Sequence, residues 1–165
     1  MAATAESGKT HYAALATFSQ GHVGSLPMET IAQRFQKVMQ SQLSYMQPYR
    51  DDLGAMLATR ITTGEDFHLT DDIQQTMQRV FVSVVSGARD TLPDKQKEGM
   101  ATVLYTLHIL ILLFWLIDRS DDHHATDLLL DFLTDVFKLT RPLLIMPLAG
   151  SSMNKLAQIL RLVFA

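Results

Sequence analysis

The chain has 165 residues and a mass of 18.5 kDa, with 47% hydrophobic and 19% charged residues, enough for one core-bearing domain and too little for two. Fourteen Lys and Arg against 17 Asp and Glu leave a formal charge of −3, so the basic footprint of a free-standing nucleic-acid binder is missing. The absence of cysteine excludes disulfides, thiolate zinc sites and Cys nucleophiles.

The first residues, MAATAESGKTHYAAL, lack the basic patch and apolar core of a secretory signal, so a cytoplasmic protein is expected. Proline and glycine divide the chain into stretches of helical length, and within them apolar residues recur at three and four; an all-α fold is predicted. A first helix is expected over Thr10 to Gln20, closed by Gly21 and Gly24. Ser25 reads as the N-cap of the next helix and Pro27 as part of its first turn. From Pro27 to Met46 an apolar stripe of Met28, Ile31, Phe35, Val38, Met39, Leu43 and Met46 opposes Gln33, Gln36, Lys37, Gln40 and Ser44. Pro48 interrupts this helix, and Tyr49 to Thr62 forms a shorter one that buries Leu53, Met56, Leu57 and Ile61, followed by a loop over Thr62 to Asp66. The next helix starts near Asp71, turns Ile73, Met77, Val80, Phe81, Val84 and Val85 inward and stops before Asp90. Thr91 and Asp94 have the spacing of an N-terminal cap.

The helix after that cap is unusual, because Ala101 to Ile117 contains no charged residue and Ile109 to Ile117 is apolar all round. Such a helix must be enclosed by protein or by lipid. The neighbouring helices are amphipathic and the run contains Thr102, Tyr105, Thr106 and His108, so enclosure by protein is expected and a membrane partner is not. One side would face the core of its own domain and the other a second copy of the chain. Together with a helix from Asp122 to Thr140 it would build a four-helix bundle across a two-fold axis, with Ile109, Leu113, Phe114, Ile117, Leu129, Phe132, Leu133 and Val136 at the interface. On that second helix Asp127, Asp131, Thr134, Asp135 and Lys138 form the polar face, and Arg141-Pro142 ends it. A last amphipathic helix is expected from Ser151 to Phe164.

Residues 107–120, LHILILLFWLIDRS, followed by the helix that opens Asp127-Leu128-Leu129-Leu130-Asp131, resemble the dimerisation helices of TetR-family transcriptional regulators. Pro48-Tyr49-Arg50-Asp51-Asp52-Leu53-Gly54-Ala55-Met56-Leu57 resembles the short helix in the middle of that family's ligand-sensing domain, and the order of long and short helices agrees. The likeness runs from Lys9 to the end, carried by apolar patterns and not by an invariant signature. It implies the TetR-type C-terminal helical domain, of six or seven helices, and homodimerisation through two helices of its C-terminal half. The family's three-helix DNA-binding unit has no counterpart before Lys9, and Ser7-Gly8-Lys9 is similar to the stretch that leads into the connecting helix. Residues 1–8 are therefore expected as a disordered or leftover segment, residues 9–165 as a single effector-binding and dimerisation domain, and DNA contact only through a head absent from this chain.

The resemblance further implies a pocket for a small, largely apolar effector among the helices that begin near Pro27, Tyr49, Asp71 and Thr91. The inward residues Phe35, Met39, Met77, Phe81 and Tyr105 suit such a pocket, since methionine makes deformable apolar walls, and they equally suit an ordinary packed core. His108 lies in an apolar helix and needs a partner: a ligand group, a second copy's side chain, or an internal hydroxyl such as Tyr105 or Thr106. Asp121-Asp122-His123-His124 with Asp127 has metal-ligand residue types, but adjacent side chains at a helix start diverge by about 100° and form no chelate, so no metal is expected. No cofactor motif, G-x-S-x-G elbow or H-E-x-x-H pair is present, and no enzymatic activity is expected. The competing readings are a helical interaction protein without a ligand and a membrane-associated helical protein.

Overall fold

The computed structural model describes residues 2–63, 71–90 and 92–144, together with Lys155, Gln158 and Ile159. Among these residues the chain is all helix, in the order α1 (Ala2–Val23), α2 (Ile31–Met46), a 3-10 turn (Gln47–Tyr49), α3 (Arg50–Thr63), α4 (Asp71–Ser86), α5 (Asp94–Ile117), a second 3-10 turn (Asp121–His123) and α6 (His124–Leu144). Thr91, Ile61 and all but three residues of the expected helix from Ser151 to Phe164 lie outside the residues, or the side chains, that are described.

Helix α1 is longer at both ends than Thr10 to Gln20. Residues 2–8, expected as a leftover segment, belong to it, because their alanine-rich run favours helix and their end packs on α3. Gly8 marks that crossing: a Cβ there would stand 2.7 Å from Met56 Cβ and 2.9 Å from the Asp52 carbonyl oxygen. Ser25 finishes α1 and does not start α2, since its amide (3.0 Å) and hydroxyl (2.7 Å) both donate to the His22 carbonyl. Thr30 caps α2 instead, in a reciprocal box in which Thr30 Oγ1 accepts from Gln33 N (3.3 Å) and Gln33 Oε1 accepts from Thr30 N (3.2 Å). The Thr-x-x-Gln spacing of that box stood in the sequence, and Pro27 obscured it.

Helix α1 packs against α3, α4 and α2, α4 packs against α5, and α6 lies across α2 and α5. The core between them holds Leu15, Phe35, Met39, Met46, Met56, Met77, Phe81, Leu104, Ile111 and Trp115, each no more than 1% exposed. On its outer side the α1–α2 seam is closed by a file of rings, His22–Phe18–Tyr45–Tyr49–His11, with centroid separations of 5.9, 4.4, 6.3 and 3.9 Å.

Two arginines donate to carbonyls at the ends of helices. Arg34 on α2 is buried and donates to the carbonyls of Ser83 and Val84 near the end of α4, and to those of Leu26 and Pro27 in the α1–α2 connection. Arg50 at the start of α3 donates to the carbonyls of Trp115, Leu116 and Asp118, with its guanidinium carbon 5.5 Å from the centroid of the Trp115 ring. A cation on exposed helix carbonyls also answers the negative end of the helix dipole.

Asp118 turns the chain from α5 into α6. Its carboxylate accepts from the amide and hydroxyl of Ser120 (2.9 and 2.7 Å) and of Thr126 (2.9 and 2.6 Å), and those hydrogen bonds hold its pKa well below the usual carboxylate range. Helix α6 begins at His124, because Asp122 and His123 have φ of 51° and 58° and make a tight turn ahead of it. It runs through Arg141-Pro142 to Leu144; so near its end, proline costs one backbone hydrogen bond and its φ suits the helix. Thr134, expected on the polar face, is buried one turn from Leu130 and donates to that residue's carbonyl (2.8 Å).

Candidate functional site

The six residues expected to line an effector pocket are buried in the packed core, and none of them lines the clefts described below. Phe81 is the hub, with ring centroids 6.0 Å from Phe35, 6.3 Å from Tyr105 and 5.3 Å from His108, and Met77 joins through Gln42. Phe35, Met39, Met77, Phe81 and His108 are at most 1% exposed and Tyr105 is 6% exposed. Burial pushes the Tyr105 hydroxyl pKa up to about 12, so it stays neutral.

His108 has two partners, and neither is Tyr105 or Thr106. Its Nδ1 lies 2.9 Å from Gln42 Oε1 and its Nε2 lies 2.9 Å from the Tyr12 hydroxyl. The amide nitrogen of Gln42 donates to Ser19 Oγ (2.9 Å) and lies 3.4 Å from Met77 Sδ, which leaves the amide oxygen for the histidine. An amide oxygen only accepts, so Nδ1 carries the proton and Nε2 accepts from Tyr12. Ser19 passes its own proton to the Leu15 carbonyl (2.7 Å). The result is one chain, Tyr12 to His108 to Gln42 to Ser19 to Leu15, with a side contact from Gln42 to Met77 Sδ, in which every donor points the same way across α1, α5 and α2. Burial lowers the His108 pKa to about 3 and raises that of Tyr12 well above its ordinary value, so both are neutral around pH 7. The sequence could not supply this network, because Tyr12 and Gln42 lie 96 and 66 residues from His108.

Beside Tyr12 a cleft opens between α3 and α5. Leu53, Met56 and Leu57 line it from α3, Ile109, Leu112 and Leu113 from α5, and Tyr12 from α1; it holds about 20 Å³. None of these residues except Leu113 and Ile109 was singled out for a site from the sequence. A roomier cleft of about 210 Å³ lies between α2 and the α5–α6 turn, where His123 stands edge-on to Trp115 and faces Gln47.

The residues expected at a dimer interface divide into two groups. Leu113, Phe114, Ile117 and Phe132 are 36%, 36%, 74% and 63% exposed, and Leu129, Leu133 and Val136 are half-buried. Ile109 is a correction: it is buried within its own chain, where helical rotation turns it toward α3, and it lines the cleft. Leu110, Leu128 and Leu139 are exposed apolar residues on the same two helices that the sequence did not mark out.

Ser7, His11 and Asp52 bring a hydroxyl, an imidazole and a carboxylate together at the α1–α3 crossing, and no sequence motif announces them. Ser7 Oγ donates to Asp52 Oδ2 (2.8 Å), and His11 Nε2 lies 3.1 Å from Ser7 Oγ and 3.3 Å from the same carboxylate oxygen. A nucleophile relay needs one ring nitrogen on the hydroxyl and the other on the carboxylate. Here one nitrogen faces both and the serine proton is already given to the acid, so the cluster ties two helices together. Among the described residues no three His, Asp or Glu side chains converge as metal ligands.

Comparison with protein-family models, with curated proteins and with solved structures gives no match for this chain. The fold and site define an all-α protein with a neutral buried hydrogen-bond chain, an apolar cleft and an uncovered apolar face.

Proposed function

We propose that this chain is the effector-sensing and homodimerisation domain of a TetR-type transcriptional regulator. The observation that carries the proposal is the uncovered apolar face of α5 and α6, where Leu110, Leu113, Phe114 and Ile117 follow helical spacing on one helix and Leu128 and Phe132 on the other. A continuous face of that kind on two adjacent helices is what an isologous four-helix interface requires. The methionine-rich core and the cleft beside Tyr12 support an apolar effector, since such walls re-form around varied shapes.

Sensing would work by population shift. An effector that fits one placement of α1 against α5 better than another favours that placement in both subunits, and the DNA-binding units of a full regulator would follow. The chain would be cytoplasmic and free of metal and cofactor, would catalyse nothing, and its described helices would make no DNA contact. Helix α5 is long and apolar enough to cross a bilayer, yet more than half of its most apolar window is packed inside the protein, which supports a soluble dimer over a membrane-associated helix.

The test is sedimentation of the wild type and of Phe114→Arg. The proposal expects a dimer for the first and a folded monomer or an aggregate for the second, because an unpaired guanidinium would be buried in the interface. An unchanged dimer in the variant would remove α5 from the interface, and a wild-type monomer at every concentration would remove the proposal.

A further inference from the structure

Two separate features meet at Tyr12. Its hydroxyl is the first donor of the buried chain through His108, and the residue also lines the cleft between α3 and α5. The cleft holds about 20 Å³, space for one water and nothing larger, so any organic ligand must move a wall side chain. Leu53, Met56, Ile109 and Leu112 are buried on both walls, and Leu57 and Leu113 stand toward the surface. Tyr12 is the one lining residue whose side-chain displacement breaks a hydrogen bond.

On the basis of the sensor function proposed above, we propose that Tyr12 is the trigger of the sensor: a neutral aliphatic ligand wedged between α3 and α5 pushes the Tyr12 ring away and withdraws its hydroxyl from His108 Nε2. The ligand class follows from the walls, which offer carbon and one thioether sulfur, with no charged side chain among the seven that line the cleft. The consequence follows from the direction of the chain. Once Nε2 has no donor, the buried imidazole is unsatisfied, and a shift of α5 that relieves it pulls on Gln42 of α2 and, through it, on Ser19 of α1. Helix α5 also bears the exposed Leu113, so the cleft and the apolar face share one helix and one residue.

This role makes an unusual prediction about affinity. Ligand entry has to break the Tyr12–His108 hydrogen bond, and a variant that never forms it avoids that cost, so Tyr12→Phe should bind the ligand about tenfold more tightly. A tyrosine that contacted the ligand through its hydroxyl, or served only packing, would show weaker or unchanged binding.

The experiment is an NMR titration of the full chain with 1-octanol, following the Met56 methyl in the cleft and the ring nitrogens of His108. In the wild type both signals should move with one midpoint. In Tyr12→Phe, Met56 should respond at about a tenth of the concentration, with the His108 nitrogens already displaced and unresponsive. Leu53→Phe, which fills the cleft from α3, should block the Met56 response and leave His108 paired; it serves should Tyr12→Phe fail to fold. A wild-type titration that moves Met56 and not His108 overturns the trigger, as does weaker octanol binding by Tyr12→Phe. If octanol instead shifts the Phe35–Phe81 cluster and leaves Met56 unmoved, the trigger is overturned and the sensor function stands. If no signal moves, the trigger is again overturned, and the sensor function then rests on whether the dimer carries a small molecule.

Discussion

His108 makes the protein sensitive to mild acid, and the effect can be isolated with one substitution. Its pKa in the folded chain is about 3, lowered by burial, against about 6.5 in an unfolded chain. As pH falls from about 6.5, the unfolded chain takes up a proton that the folded chain refuses, so stability drops with each step and levels off only below about pH 3. Each pH unit is worth about 1.4 kcal/mol, which gives roughly 2 kcal/mol lost by pH 5 and roughly 5 kcal/mol by pH 3. Against a typical total of about 5–15 kcal/mol the larger figure is enough to unfold a marginal domain. His108→Gln is the control, because a glutamine there does not titrate yet can donate to Gln42 Oε1 and accept from Tyr12. The assay is urea unfolding of both proteins at half-unit steps between pH 7 and 4.5, above the range in which carboxylates dominate. Subtracting the variant removes every other titrating group. A difference that grows by about 1 kcal/mol over the first pH unit below 6.5 and by about 1.4 kcal/mol per unit below that is expected; parallel curves would show that the imidazole is not buried and neutral as described.

Other outcomes follow from the packing. Gly8→Ala puts a methyl group 2.7 Å from Met56 Cβ and against the Asp52 carbonyl, so it should destabilise by about 1–3 kcal/mol in thermal or urea unfolding, whereas the same change at Gly54, with open space around it, should cost far less. Arg50→Met removes three hydrogen bonds from the end of α5 and should cost about 2–3 kcal/mol, with a red-shifted emission from Trp115, the only tryptophan. The Asp118 carboxylate is held below its ordinary pKa, so its contribution is present above about pH 4 and is lost as pH falls further; Asp118→Asn should lower stability at neutral pH and flatten this acid limb, read from a urea series extended below pH 4.

Where the chain writes its pattern locally, the pattern was legible. The inward residues of α4 recur at three and four and occupy the core as expected, and the uncharged run of α5 marked a helix buried on one side and uncovered on the other. Boundaries were less legible because several signals compete near them. Gly8 is a close approach of two helices and not an end, and Ser25 serves the end of one helix where it stood equally well for the start of the next. The side chains that organise the interior were invisible for a different reason. Gln42, Arg34 and Arg50 are polar residues on helices whose stripes are read from apolar positions, and their partners come from distant parts of the chain. Periodicity places a residue on a face, and only tertiary packing decides which polar side chain completes another's hydrogen bonds.

Native mass spectrometry of the purified protein, stepped from intact complex to released small molecules, tests the central claim most directly. A sensor domain with an apolar effector gives a particle of twice the 18.5 kDa chain mass that sheds a discrete, neutral small molecule on activation. A bare monomer at every concentration would contradict both the dimer and the effector.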